Sequence, residues 1–144
     1  MPTLVRTTML AADPDQIWLL VRQFDEIASW HPQVPPSEME GNANPTTPGA
    51  TRRFTIDGRV VAREELVDHD DHRRTYSYKV LDQPLPISDF IARIEVLWAP
   101  DGAEVRWHAT YTGADDIIPV VEKAFGDEVY ATGLEALRQR FDRQ

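Results

Sequence analysis

The feature that most constrains the fold of this chain is a carboxylate in the apolar phase of a predicted strand. Strand side chains alternate between two faces with a period of two. One face of residues 60–66 therefore carries Val60, Ala62, Glu64 and Leu66. A charge among apolar side chains needs a buried partner. This face therefore predicts a cavity with a single polar spot.

The preceding strand, Thr51–Ile56, supplies a candidate partner, Arg52. Asp57 and Gly58 indicate a tight hairpin between the two strands. A two-residue loop would place Arg52 opposite another arginine. A three-residue loop that ends at Arg59 pairs Arg52 with Glu64 and apolar side chains with one another, so we expect the longer loop.

In this register Phe54 faces Ala62 and Ile56 faces Val60. The pair of opposite charges would then lie on the cavity face. The alternative is an exposed ion pair on an edge hairpin, which contributes little to stability. We favour the cavity, because an exposed hairpin would leave Phe54, Ile56, Val60 and Leu66 in water as well.

Composition limits the classes of partner and compartment. The 144 residues fit one domain, residues 1–144, that can bury a sizeable core. A net charge of -9 disfavours nucleic acid and anionic membranes as partners. Cysteine is absent, so thiolate chemistry and disulfides are excluded. The N-terminus lacks the apolar core of a signal peptide and no apolar run could cross a bilayer, so we expect a cytoplasmic protein without membrane insertion.

The first third of the chain predicts a strand followed by two short helices. Thr3–Leu10 is the strand. Pro14 suits the first position of a helix that runs to about Arg22, and residues 24–30 form a second short helix. Residues 34–40 predict an irregular strand, because two prolines there cannot donate to a ladder and suit a sheet edge.

Three later strands have clean alternation. Their inward rows are Tyr76, Tyr78 and Val80; then Phe90, Ala92, Ile94, Val96 and Trp98; then Val105, Trp107, Ala109 and Tyr111. A turn around Asp101 and Gly102 would pair Val96 with Trp107. The apolar rows of the last two strands then share one face.

A long helix closes the chain, from roughly Asp116 to Phe141. Val121, Phe125 and Val129 share an apolar stripe at helical spacing, so the helix should lie across the apolar face of the sheet. Gly126 and Gly133 each cost about 1 kcal/mol relative to alanine inside a helix. Either a close approach to the sheet or room for a ligand offsets that cost, or the glycines are simply tolerated, with Gly126 facing solvent.

This order of elements is the helix-grip layout, an α+β fold. We expect a seven-stranded curved antiparallel sheet wrapped around a long C-terminal helix, with two short helices between strands 1 and 2. The sequence resembles the polyketide cyclase/dehydrase-like branch of the START and pollen-allergen superfamily, SRPBCC. The matching pieces are residues 14–18, Trp30-His31-Pro32, Arg52 with Phe54, Glu64-Glu65-Leu66 with Asp70-Asp71, Arg74 with Tyr76-Ser77-Tyr78, Val105-Arg106-Trp107, and Gly133-Leu134 with Leu137.

The chain is also similar to the plant abscisic-acid receptors over residues 63–96. That resemblance places Glu64 in the pocket. It implies a pocket lining of Tyr78, Phe90, Ala92, Trp107, Phe125 and Val129. The long gate loop of the receptors is shortened here to Asp57-Gly58 and their pocket lysine has no clear counterpart, so hormone binding is not carried over.

Two residues are candidates for proton transfer, His31 and Glu64. The ordinary pKa of histidine near 6.5 suits an acid or base, although His31 could equally end its helix by binding a backbone carbonyl. The charged turn at residues 68–72 lacks a fixed-face ligand spacing, so we expect no metal there. No cofactor is expected either.

Tyrosine hydroxyls can hold a ligand while their rings fill space, and Trp107 can form a flat wall. The expected ligand-binding side chains are Trp30, Arg52, Phe54, Glu64, Tyr76, Tyr78, Phe90, Ala92, Trp107, Ala109, Tyr111, Val121, Phe125 and Val129.

Three functions follow from these patterns. The first is binding of a small hydrophobic or aromatic molecule in the cavity. The second is a cyclase, aromatase or dehydratase acting on a hydrophobic carbonyl compound without metal or nucleotide cofactor, with His31 or Glu64 as proton carrier. The third is a protein-interaction module with a collapsed core. The chain is expected to be a monomer or a homodimer.

Overall fold

The computed structural model describes residues 1–142. Seven antiparallel strands form one open sheet in the order β1-β7-β6-β5-β4-β3-β2. They are β1 (Thr3–Leu10), β2 (Ser37–Met39), β3 (Thr51–Ile56), β4 (Arg59–Asp70), β5 (Thr75–Asp82), β6 (Ser88–Ala99) and β7 (Gly102–Thr112). With the helices described below, this is the predicted helix-grip fold. The fold class is confirmed.

Two short helices follow β1, as predicted. Helix α1 (Pro14–Val21) begins after Asp13, whose side chain accepts a hydrogen bond of 2.7 Å from the backbone N–H of Asp15. Such caps satisfy a donor that the first helical turn leaves free. A 3₁₀ helix (Phe24–Ser29) then leads toward β2. Ile17, Trp18 and Val21 of α1 and Phe24 and Ile27 of the 3₁₀ helix are buried in the core, whereas Leu19 is 64% exposed.

The C-terminal helix covers the predicted range but is not uniform. A 3₁₀ turn (Asp115–Ile117) precedes α2 (Ile118–Val121), a π-helical segment (Glu122–Ala131) and α3 (Thr132–Asp142). A π-helical stretch has a wider turn than an α-helix and is often found at functional sites. The sequence pattern did not predict it. Within residues 1–142, none of the helices is long and apolar enough to span a bilayer.

The β3–β4 hairpin corrects the predicted loop while keeping the predicted pair. Arg52 lies opposite Glu64, as expected. However, the turn has two residues, Asp57 and Gly58, which both adopt positive φ (51° and 76°). The register shifts by one residue between Phe54 and Thr55, so a bulge in the strands, not a longer loop, reconciles the turn with the charge pair.

That bulge changes the phase of the hairpin tip. Thr55 pairs with Val60, and Ile56 pairs with Arg59. Ile56 is 51% exposed and Val60 49% exposed. The predicted inward placement of Ile56 and Val60 was therefore wrong. The predicted alternation holds for the part of the hairpin that contains Arg52 and Glu64, but not for the tip beyond the bulge.

The β6–β7 register is also two residues away from the prediction. Val96 pairs with Val105, and Trp107 pairs with Ile94. A shift of two leaves each side chain on its predicted face. The inward rows are therefore buried, except for Trp98, which lies one residue from the end of β6 and is 70% exposed.

Candidate functional site

A cavity of about 150 Å³ is lined by side chains from the sheet, the 3₁₀ helix and the π-helical segment. Its lining residues are Ile27, Val34, Pro35, Arg52, Phe54, Val61, Ala62, Glu64, Tyr78, Phe90, Trp107, Phe125, Val129 and Tyr130. The wall is almost entirely apolar. A mostly apolar concave site with a few polar groups is typical of small-molecule binding.

Arg52 is buried in the wall, and each of its three side-chain nitrogens donates a hydrogen bond to the protein. Its Nε and Nη2 both donate to Oε1 of Glu64, at 2.9 and 2.6 Å. Its Nη1 donates to the backbone carbonyl of Phe24 at 2.7 Å. The guanidinium carbon also lies 3.9 Å from the ring centroid of Phe24, 4.9 Å from that of Tyr78 and 5.1 Å from that of Phe54. Such contacts between a cation and aromatic faces are attractive.

Burial opposes the charge of Arg52, yet its pKa is raised, because the Glu64 carboxylate together with the nearby Tyr76 and Tyr78 side chains outweighs the loss of hydration. The side chain of Glu64 is 12% exposed, against 1% for that of Arg52. Oε2 of Glu64 has no hydrogen-bond partner among residues 1–142. Oε2 is therefore the atom of the ion pair without a protein partner, in a residue that lines the cavity.

Aromatic rings form the rest of the wall. Phe90 and Phe125 lie 4.7 Å apart between ring centroids, and Trp107 stacks on Tyr130 at 4.3 Å with an angle of 12° between the planes. Nε1 of Trp107 donates to the hydroxyl of Tyr78 at 3.0 Å. These contacts hold the rings in fixed positions, as a preformed site requires.

Tyr130 contributes a second unused polar group. Its hydroxyl is buried and has no hydrogen-bond partner. Burial raises the pKa of Tyr130, the negative charge of Glu64 adds to this effect, and the neighbouring Tyr78 hydroxyl opposes it, although the two hydroxyls do not have the geometry of a hydrogen bond. The hydroxyl is therefore a neutral group that can both donate and accept. A buried polar group without a partner is unusual in a folded protein and calls for an explanation.

The structure brings part of the predicted set together at the cavity. The predicted residues that line it are Arg52, Phe54, Glu64, Tyr78, Phe90, Trp107, Phe125 and Val129. Other predicted residues are buried but do not line it: His31, Trp30, Tyr76, Ala92, Ala109, Tyr111 and Val121. Alternation predicts which face a side chain occupies, but not whether another ring packs between it and the cavity.

The expected ligand-binding side chains omit several lining residues: Ile27, Val34, Pro35, Val61, Tyr130 and Ala62, of which Ala62 was predicted only to lie on the cavity face. Tyr130 follows Val129 directly, and consecutive residues of an α-helix point in different directions. Both line the cavity where the helix is π-helical. No sequence signal identifies that segment in advance. Val61 lines the cavity beside the bulge of the hairpin, which the sequence did not locate either.

His31 does not line the cavity. It is 1% exposed, its Nε2 lies 2.6 Å from the backbone carbonyl of Val129, and its Nδ1 accepts from the backbone N–H of Gln33 at 3.1 Å. Because Nδ1 accepts, Nε2 carries the proton and donates. Burial lowers the pKa of His31. Neither ring nitrogen is available to a ligand, so this geometry fits the structural alternative for His31 and not the catalytic one.

The charged turn between β4 and β5 fixes helix α1 to the sheet. Asp71 accepts hydrogen bonds from Trp18 Nε1 and Arg22 Nε, each at 2.9 Å, and lies 3.0 Å from His69 Nε2. Arg22 is the main cause of the lowered pKa of Asp71. Over residues 1–142, no group of three or more histidine, aspartate or glutamate side chains has an arrangement suited to a metal ion.

The fold and the cavity together define a helix-grip protein of the ligand-binding or cyclase class. The chain belongs to the family described as "Polyketide cyclase / dehydrase and lipid transport", whose model matches residues 1–142. The resemblance to the SRPBCC superfamily is thereby confirmed. No curated protein matches the sequence of this chain.

Solved structures have the same fold. A protein from Thermobifida fusca, determined by NMR, is 36% identical with a TM-score of 0.91 over 99% of this chain and 95% of its own. The Zhui aromatase/cyclase from Streptomyces sp. R1128 is 14% identical, with a TM-score of 0.74 over 99% and 94%. Norcoclaurine synthase from Thalictrum flavum, in complex with dopamine and hydroxybenzaldehyde, is 15% identical, with a TM-score of 0.75 over 99% and 87%.

Proposed function

We propose that this protein binds one small, largely apolar molecule with an aromatic ring in the cavity beneath the C-terminal helix. The observation that carries the proposal is the composition of the wall. Rigid aromatic side chains form the wall together with Glu64 and Tyr130, and each of these two residues carries a polar atom without a hydrogen-bond partner, Oε2 and the hydroxyl oxygen. A ligand with an apolar ring and a polar substituent would pack against the aromatic side chains and supply a hydrogen-bond partner for the polar groups.

The volume limits the size of the ligand. Sites for drug-sized molecules usually measure about 300–1,000 Å³, whereas an apolar cavity of about 150 Å³ is known to hold benzene. The cavity here, about 150 Å³, therefore fits a single ring with a small substituent. The synthase of the same fold holds dopamine and hydroxybenzaldehyde, which are each built on one ring. A larger polyketide would need the cavity to widen.

The enzymatic alternative has one observation in its favour, the accessible carboxylate oxygen of Glu64. A cyclase or dehydratase needs a group that takes up or delivers a proton. Oε1 of Glu64 accepts two hydrogen bonds from Arg52, so the protein already occupies one of the two carboxylate oxygens. His31 is held by backbone groups. We therefore favour binding over catalysis. The cavity of about 150 Å³ also disfavours the third function, a protein-interaction module with a collapsed core.

The proposal is tested by NMR titration of the protein with phenol, following backbone amide shifts. We expect saturable binding of one molecule, with the largest shifts at residues around the cavity. Ala62→Phe places a ring where Ala62 lines the wall and should abolish binding, because the added volume fills a cavity sized for one ring. Ala136→Phe adds the same ring to α3, away from the lining, as a matched control.

Two results would contradict the proposal. One is the absence of saturable shifts with phenol in the wild-type protein. The other is phenol binding by Ala62→Phe that equals binding by Ala136→Phe, since the site would then lie elsewhere. Native mass spectrometry of the purified protein would add the identity of any molecule that it retains.

A further inference from the structure

We infer that the cavity selects neutral ligands that carry a hydroxyl group, with Glu64 and Tyr130 as the two anchoring residues, and that it rejects carboxylates. This inference rests on the proposed function and names the ligand chemistry of the same site. It runs against the usual expectation for a buried arginine, which is to bind an anion. The reasons lie in which hydrogen bonds the polar groups of the wall already make and which of them have no partner.

Arg52 is poorly placed to bind an anion, although three hydrogen bonds use only three of its five N–H groups. Each of its three nitrogens already donates, two to Oε1 of Glu64 and one to the carbonyl of Phe24. Three aromatic rings lie within 5.1 Å of the guanidinium carbon. An anionic ligand could reach the guanidinium only by displacing Glu64, which would leave that carboxylate buried without its partner.

Glu64 presents an acceptor only. An ionised carboxylate has no proton to donate, and Oε2 is the oxygen that Arg52 leaves unused. A ligand that contacts Oε2 must therefore supply a donor. A carboxylate ligand would instead place a second negative charge beside the first in an apolar wall, where such charges are weakly screened.

Tyr130 makes a hydroxyl the best match. Its own hydroxyl is buried without a partner, and its ring belongs to the same lining as Glu64. A ligand hydroxyl has one proton and two lone pairs. It can donate to Oε2 of Glu64 and accept from the Tyr130 hydroxyl at the same time. An ammonium group could donate to both Glu64 and the Tyr130 oxygen, but it would leave the proton of the Tyr130 hydroxyl without an acceptor.

The test compares three one-ring probes on the wild-type protein by the same NMR titration: phenol, toluene and benzoate at pH 7. Phenol and toluene are nearly isosteric, so their difference isolates the hydroxyl. Hydrogen bonds to a charged group are worth enough to expect phenol to bind about tenfold or more tightly than toluene. Benzoate should show no saturable binding in the range where phenol saturates.

The outcomes separate this inference from the proposed function. Binding of toluene as tightly as phenol, or of benzoate as tightly as phenol, would overturn the inference and leave a ligand-binding cavity. No binding by any probe would overturn both.

Variants test the two anchors individually. Tyr130→Phe removes only the hydroxyl and should reduce the preference for phenol over toluene several-fold, with toluene affinity unchanged. Tyr111→Phe is the matched control, because its hydroxyl is also buried without a partner but Tyr111 lies outside the lining. It should leave both affinities unchanged. An unchanged preference in Tyr130→Phe, or an equal loss in Tyr111→Phe, would overturn the assignment of Tyr130.

Discussion

Replacing Gly133 with alanine tests how the C-terminal helix is seated on the sheet. A Cβ at Gly133 would lie 2.5 Å from Cδ2 of His31, 3.0 Å from its Nε2 and 3.2 Å from Cζ3 of Trp107. The His31 ring cannot move aside easily, because both nitrogens are bound to backbone groups. Trp107 is also held, by its stack on Tyr130 and by the hydrogen bond that it donates to Tyr78. The added methyl group therefore meets two rings that are both fixed.

The magnitude follows from three contributions. Alanine gains about 1 kcal/mol over glycine in a helix. Overpacking of a filled site costs about 2 kcal/mol. Displacing the His31 ring removes its bond to the Val129 carbonyl and leaves buried polar groups unpaired, at about 2 kcal/mol. We expect Gly133→Ala to lower the free energy of unfolding by about 3 kcal/mol, which corresponds to a fall of about 9 °C in Tm for a chain of this size.

Gly126→Ala is the control in the same helix. Its Cβ would lie 2.5 Å from Nη2 of Arg6 and 2.9 Å from Cδ1 of Leu4. Nη2 is the flexible end of a partly exposed side chain that can turn away, at the loss of surface ion pairs with Glu122 and Asp127 worth about 0–1 kcal/mol each. The helical gain offsets this loss and the smaller adjustment of Leu4. The net change should stay within about 1 kcal/mol.

Both glycine variants are measured by urea unfolding followed by tryptophan fluorescence. Loss of the downfield Nε2–H proton of His31 in the NMR spectrum of Gly133→Ala would show that the ring has moved. A Gly133→Ala protein as stable as the wild type, or less damaged than Gly126→Ala, would refute the argument that His31 and Trp107 are held in place.

Further expectations concern the polar groups. Tyr130→Phe and Tyr111→Phe should each raise the free energy of unfolding by about 1 kcal/mol in urea titrations, because each removes a buried hydroxyl without a partner; a loss of stability in either would mean that its hydroxyl has a partner. Because burial lowers the pKa of His31 in the folded protein, its contribution to stability is complete above about pH 6.5 and declines as the pH falls toward the folded-state pKa. Urea titrations at pH 7.5 and pH 5 should therefore show a loss that shrinks in His31→Asn, and an equal loss in both proteins would contradict this cause. Glu64→Gln should destabilise the protein by about 3–5 kcal/mol, because Arg52 would keep its charge in a buried position without a counterion, and a change below 1 kcal/mol would show that Arg52 finds another partner.

The sequence predicted the parts of the fold that depend on alternation. The faces of β5, β6 and β7 follow from a period of two, and an error of two residues in the β6–β7 register left those faces unchanged. The pairing of Arg52 with Glu64 was predicted because opposite charges and apolar side chains match in only one of the two registers considered. The length of the hairpin turn was not predicted correctly, because a bulge and a longer loop give the same pairing of Arg52 with Glu64.

The candidate site was less predictable for a physical reason. Its shape depends on a π-helical segment and on the order in which rings pack behind one another, and both arise from tertiary contacts. Tyr130 is the clearest case, because an α-helical pattern that places Val129 on the wall turns the next residue away from it. His31 shows the converse. Its position after a short helix suggested chemistry, but its ring nitrogens bind the backbone of two other segments.

The Arg52–Glu64 pair is not easily explained by stability. Removing two charges from water costs several kcal/mol for each ion, and replacing a buried ion pair with apolar side chains of similar volume is often neutral or stabilising. An apolar pair at these two positions would match the surrounding aromatic wall. A carboxylate oxygen without a partner in a largely buried residue is instead unfavourable until something donates to it. The pair therefore makes better physical sense as a device that positions one acceptor for a ligand, with the two hydrogen bonds from Arg52 orienting Glu64, than as part of the core.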